Sequence, residues 1–236
     1  MSEMQYQKSA IERLNQVYLL FENVTSDLSL ACKEKCADCC TCNVTATSLE
    51  MAYLFDRVND KEKQALETRL NVMVKGSRYR PAQTTNGFAH ACMTGQKVHD
   101  ENNDPSWGAC PFLEEDLCTI YHVRPFGCRS MMSQQVCKNA GYANMPPLAL
   151  TINTIFLQYI EHLDAGGISG NFFDLLAQLP DLDLALENPQ DFDKTELFVR
   201  NREIPALMIP PEHRSQTASI VRSLGALMQQ KGGQIA

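Results

Sequence analysis

The cysteines of this chain are unevenly placed, and their spacing is its strongest chemical signal. Four fall within nine residues, Cys32, Cys36, Cys39 and Cys40 in CKEKCADCC, and three more punctuate CPFLEEDLCTIYHVRPFGC as Cys110, Cys118 and Cys128. A thiolate is a soft metal ligand, and loops of two or three residues let successive sulfurs turn toward one centre, as at zinc and iron–sulfur sites. The adjacent residues Cys39 and Cys40 project differently and strain to chelate a single ion, so they are expected to serve two neighbouring metals. Cys110, Cys118, Cys128 and Cys137 are separated by seven, nine and eight residues, a looser pattern that core cysteines would also produce. The two groups together make eight candidate thiolates, the number needed by two tetrathiolate sites or one binuclear cluster.

Other residue types stand close to these cysteines. Lys33, Lys35, Arg124 and Arg129 are candidates to offset the negative charge of a thiolate centre, although each alone reads equally well as a surface cation. Pro111, Pro125 and Gly127 flank ligand positions, where a fixed or a permissive φ would set the turns that aim the sulfurs. Ile120, Tyr121 and Phe126 suit an apolar shell that keeps water off a metal, and ordinary core packing explains them as well. His122, between two cysteines, is a candidate substitute ligand, although it reads better as an imidazole beside the ligand sphere or on the surface. Cys42 and Cys92 are left over. His90 with Cys92 is either a further ligand pair or a nucleophile with its base, and without a third orienting group the catalytic reading is weak. His99 lies in the same stretch.

Helices must position this set. Ile11, Leu14, Val17, Tyr18, Phe21, Val24 and Leu28 recur at helical spacing, which predicts a helix over about 8–29 leading into the first cluster. Thr47 to Glu50 has the form of a capping box ahead of Met51, Leu54, Phe55 and Val58. A third helix is expected over about 60–75, with Leu66, Leu70 and Met73 on one face and Gly76 as its stop. From Ser77 to Met145 no long period survives, too long a stretch for an ordinary loop, and metal ligation is the expected source of its order. After Pro146 and Pro147, the residues Leu148, Ile152, Ile155, Phe156, Tyr159, Ile160 and Leu163 predict a helix ended by Gly166 and Gly167. A short helix through Phe172, Phe173, Leu175, Leu176 and Leu179, stopped by Pro180, follows, then an acidic connection over 181–193. A last helix runs over about 215–230, with Ile220, Val221, Leu224, Leu227 and Met228. The expected fold class is mainly α, helices surrounding an irregular cysteine-rich metal-binding centre. The chain reads as a single domain, 1–236, with a metal-binding core over about 30–140 and a helical C-terminal region over about 146–236.

Composition narrows the partners. With 236 residues, 44% hydrophobic and 21% charged, the chain has ordinary globular usage. A net charge of -7 and no long Lys/Arg run argue against a nucleic-acid partner. The polar start of the chain and the lack of any run of roughly 18 apolar residues argue against membrane insertion. The cytoplasm is the expected compartment, where reducing conditions make ten cysteines read as ligands more economically than as disulfides; export would revive the disulfide reading.

CKEKCADCC from Cys32 to Cys40, taken with CPFLEEDLCTIYHVRPFGCR from Cys110 to Arg129, resembles the CxxCxxCC family, the zinc- or iron-chelating domain also called the YkgJ-type cysteine cluster family. The resemblance covers roughly residues 30–137. It implies ligand roles for Cys32, Cys36, Cys39, Cys40, Cys110, Cys118 and Cys128, with Cys137 as the eighth, in surroundings that match less distinctly. The stretch from Ser77 to Asp104 and the helices after Pro146 lie outside the signature.

The metal stays open at this level. A zinc ribbon presents two C-x2-C knuckles and this chain offers one, which favours an iron–sulfur or binuclear arrangement over Zn2+. The expected function is a metal-binding protein with a multi-cysteine iron–sulfur or zinc centre of about eight thiolates, redox activity being one option for it. The alternatives are a cluster-dependent oxidoreductase, a radical SAM-like enzyme, whose spacing Cys32, Cys36 and Cys39 share, and a purely structural zinc module. The radical SAM reading is opposed by a motif that follows a helix and by the lack of any later strand–helix repeat.

Overall fold

The computed structural model describes residues 3–73, 76–98, 101, 103–178 and 197–229. The chain is mainly α. A long helix α1 (Glu3–Thr25) opens it, and the core face lies where the periodicity puts it: Leu14, Val17, Tyr18 and Phe21 are buried. The helix begins earlier and ends sooner than the apolar spacing indicates: past Thr25 the chain turns, with the Leu28 N–H donating to the Thr25 carbonyl, and Val24 and Leu28 are only partly covered. The strand β1 (Thr45–Thr47) runs into α2 (Ser48–Arg57), whose capping box is formed: the Thr47 side chain accepts from the Glu50 N–H, and Glu50 accepts from the Thr47 N–H at 2.8 Å. Helix α3 (Asp60–Met73) follows, with Leu66 buried. Residues 74–75, and the side chains of Leu70 and Met73, lie outside those described.

The stretch 77–145 is less irregular than its sequence indicates. It holds α4 (Thr85–Thr94), with Thr84 capping its start and Gly95 in the left-handed conformation ending it, where a residue with φ of 67° is needed. It also holds a hairpin of β2 (Leu113–Glu114) and β3 (Leu117–Cys118), and two four-residue helices, α5 (Phe126–Arg129) and α6 (Cys137–Ala140). The two-residue hairpin loop, Glu115 and Asp116, takes positive φ at both positions, as a turn matched to the twist of paired strands requires. Polar side chains order the segment alongside any metal. Asn43 accepts from the Tyr79 N–H at 2.9 Å and donates to the Asp104 carbonyl at 2.8 Å. Arg78 and Arg80 both pair with the buried Asp174.

Helix α7 (Pro147–Leu163) is the central element, with Ile155, Phe156 and Ile160 fully buried. It is followed by β4 (Ile168–Asn171), α8 (Phe172–Ala177), β5 (Phe198–Arg200) and α9 (Arg214–Gln229), in which Ile220 and Leu224 are buried. Leu179, Pro180 and the acidic stretch 181–193 lie outside the described residues. Strands β1, β4 and β5 form an antiparallel sheet in that order, with Thr45 opposite Asn171 and Ser169 opposite Val199. One continuous apolar core joins α1, α2, α7, α8 and α9, each fully buried Leu, Ile or Phe contributing roughly 1.5–3 kcal/mol.

Candidate metal centre

The first cysteine group leaves α1 in a chain of tight turns. The Cys36 N–H donates to the Lys33 carbonyl and the Cys40 N–H to the Ala37 carbonyl, and Lys35 sits at φ of 64°. The second group is brought to the first by backbone pairing. Thr41 and Ala109 form an antiparallel bridge, the Cys110 N–H donates to the Cys40 carbonyl at 2.9 Å, and the Cys42 N–H donates to the Gly108 carbonyl. A third tie comes from further along: the Ala31 N–H donates to the Ser133 carbonyl, and the Ser133 N–H donates back to the Cys32 sulfur at 3.2 Å.

These ties enclose a cavity of about 660 Å³ lined by Cys32, Cys36, Cys39, Cys40, Cys110, Cys118 and Cys128, seven of the eight expected cysteines. Cys137 is not on that wall. It sits at the start of α6, within electrostatic reach of Cys32. Phe112, Ile120, Phe172 and Phe173 form an apolar floor, so the shell expected from Ile120 is present, while Phe126 lies in the core against Phe21 and Phe156. None of the ten cysteines is in a disulfide. Among the described residues, no three His, Cys, Asp or Glu side chains converge as a preassembled metal-binding group.

The sulfurs are tuned by burial and by backbone donors. Burial pushes the Cys110 thiol up to about 11 and raises Cys118, Cys128 and Cys32 as well. Backbone N–H groups two residues further on, Phe112 for Cys110 and Ile120 for Cys118, donate to the sulfurs and oppose that rise. Such bonds stabilise the charged thiolate that a metal requires. The Cys39 and Cys40 side chains are hydrogen bonded to each other, which raises the first and lowers the second. Cys40 feels the charges of Cys110, Cys118 and Cys128, whereas Cys32 feels those of Cys36, Cys39 and Cys137. Cys39 also acts on Cys128, so the two sets adjoin.

The candidate cations divide. Arg124 lines the cavity, favours the thiolates of Cys118 and Cys128, and lies 3.7 Å over the Tyr121 ring. Arg129 also reaches the wall, but its guanidinium bonds to Glu22 and to the Arg124 and His122 carbonyls, and it stacks on Tyr18. Lys33 and Lys35 line the wall. Gly127 has a different role from the one its sequence position indicates. A Cβ there would stand 2.8 Å from the Thr45 carbonyl oxygen and 3.1 Å from Val44, so close approach to β1, not a special φ, requires glycine. Pro111 offers its carbonyl to Arg69, and the Pro125 carbonyl accepts from the Cys128 N–H.

The leftover residues separate from the centre. Cys42 is buried, its thiol donating toward the Ser77 carbonyl and the Asn43 side-chain oxygen. Cys92 is exposed on α4, and His90, two positions before it on the same helix, faces another side, which does not suit a nucleophile and its base. His99 lies outside the described residues. His122 is half-exposed and points toward Glu62 at 4.0 Å. Sequence reasoning did not single out Arg69, which ties the hairpin to α3 through Pro111 and Glu114, or the wider reach of the Glu50 carboxylate beyond its own capping box. Periodicity does not register contacts this far apart in the chain.

Residues 31–147 match the family model CxxCxxCC, described as "Putative zinc- or iron-chelating domain". No curated protein and no solved structure matches the chain.

Proposed function

Residues 31–147 belong to the CxxCxxCC family of zinc- or iron-chelating domains, and from that premise we propose that the chain holds one eight-thiolate metal centre built in two halves. Cys40, Cys110, Cys118 and Cys128 make the first half; Cys32, Cys36, Cys39 and Cys137 make the second. The observation that carries the reading is that seven of these eight, contributed by segments some seventy residues apart, line a single cavity. Their electrostatic grouping supports the division, and the vicinal pair Cys39 and Cys40 sends one sulfur to each half. The sulfurs close on the metal when it binds, and that closure contributes to folding free energy.

We take an iron–sulfur centre as the occupant, on the single C-x2-C knuckle, with Zn2+ as the competing occupant and redox activity as the corollary of iron. The centre sits in a chain taken as one domain, since the apolar core joins α1 to α9 around it, and in a reducing, cytoplasmic setting that keeps its thiols available. Among the described residues no helix is long and apolar enough to cross a membrane. The strands described are antiparallel, unlike the strand–helix repeat a radical SAM enzyme would need. Metal analysis and an optical spectrum of anaerobically purified protein decide the occupant. A brown protein bleached by dithionite is expected, whereas colourless protein with about two zinc ions per chain would replace iron by zinc. Protein that binds neither metal through its thiols would overturn the reading.

A further inference from the structure

We infer that Glu50 is a positioning residue for the thiolate cavity, an inference that rests on the chelation reading above. Helix α5 carries Cys128 but has only four residues and no side-chain cap at its start, so its first N–H groups need an acceptor from elsewhere. Glu50 supplies it across 76 positions of sequence: the Phe126 N–H donates to Glu50 Oε1 at 2.6 Å. The same oxygen accepts from the Tyr18 hydroxyl of α1 at 2.7 Å, while Oε2 accepts from the Thr47 N–H. A capping-box glutamate ordinarily serves its own helix at the surface. Here the carboxylate is 2% exposed and collects one donor from each of three separate parts of the chain.

The rest of α5 is held to the same frame. The Phe126 ring packs edge-on against Phe21, Gly127 lies against β1, and Arg129 stacks 4.1 Å over the ring of Tyr18, the residue that also bonds Glu50. All three contacts are to α1 or β1 and hold the helix in place sideways. The bond to Glu50 fixes where its first turn begins, and so where the sulfur two residues later enters the cavity.

The experiment is an anaerobic titration of the full-length apo chain with Co2+, read by the thiolate-to-cobalt charge-transfer band and by chelator competition. Wild type is expected to bind two equivalents. Glu50→Ala, which removes the acceptor, is expected to weaken one equivalent by about tenfold or more and leave the other within about twofold, the scale at which groups beyond the ligands act. The weakened equivalent is expected to be the one lost in Cys128→Ser. Thr47→Ala removes the cap partner of the same helix but keeps the bond to Phe126; it is expected to lower thermal stability and leave both affinities unchanged. Should Glu50→Ala fail to fold by circular dichroism, Glu50→Asp decides, because it keeps the charge but falls short of Phe126. Both affinities unchanged, or both falling in step with thermal stability, would overturn the positioning role. Absence of the charge-transfer band in wild type would instead overturn the chelation reading, before any variant is compared.

Discussion

The Cys110 N–H donates to the Cys40 carbonyl at 2.9 Å, so the two cysteine motifs are joined by backbone at the point where their sulfurs face one cavity. Because that tie is made by main chain, it stays in place when Cys36 or Cys128 loses its sulfur.

Cys36→Ser and Cys128→Ser are therefore each expected to lower bound metal per chain, while Cys42→Ser leaves it unchanged. The Cys42 thiol is buried and directed at Ser77 and Asn43, away from the cavity wall. Metal content by plasma emission spectrometry checks this. Equal loss at all three positions would mean that the ligand set is wrong.

Gly127→Ala is expected to destabilise the fold by about 1–3 kcal/mol, the usual cost of forcing a methyl group into a packed site. The new Cβ would press on the Thr45 carbonyl and Val44, and the helix next to it must shift. Since Cys128 follows directly, metal affinity should fall with stability. Denaturant melts paired with cobalt competition test it, and an unchanged melting midpoint would contradict the contact.

Asp164 supplies a pH signature. Burial raises its carboxyl from the ordinary 3.8 to about 7, against the opposing bonds from Ser48, the Leu49 N–H and Asn201 and with further help from the nearby Glu50 charge. The folded state thus holds a proton that the unfolded state has released between about pH 4 and 7. The contribution of Asp164 to stability is fully present below about pH 4 and declines across that window by up to roughly 1.4 kcal/mol per pH unit. Asp164→Asn should flatten the decline. Urea melts of both proteins at matched pH measure the difference, in which thiol titrations common to both cancel; parallel slopes would rule it out.

The helices of the core were readable because burial on one face leaves a period of 3.6, as Leu14, Val17, Phe21, Ile152, Ile155 and Phe156 show. The capping box at Thr47 and Glu50 was readable for the same reason: its partners are three residues apart. Strand β4 was not, since Ile168 to Asn171 is buried throughout and so shows no alternation, and Gly170 and Asn171 have poor strand propensity. Helix α4 was hidden by Asn86 and Gly87, although Gly95 marks its end. At the centre, the candidate cysteines came from local spacing, whereas their gathering around one cavity, the bond from Phe126 to Glu50 and the reason for Gly127 depend on segments far apart in the chain.

The bridge between Thr41 and Ala109 also sets an order in time. During synthesis Cys40 is made 70 residues before Cys110, a lag of roughly 4–14 s at about 5–20 residues per second. Over that interval the nascent chain offers Cys32, Cys36, Cys39 and Cys40 without the segment that later pairs with Thr41, so the proposed ligand set is complete only after the second motif has emerged.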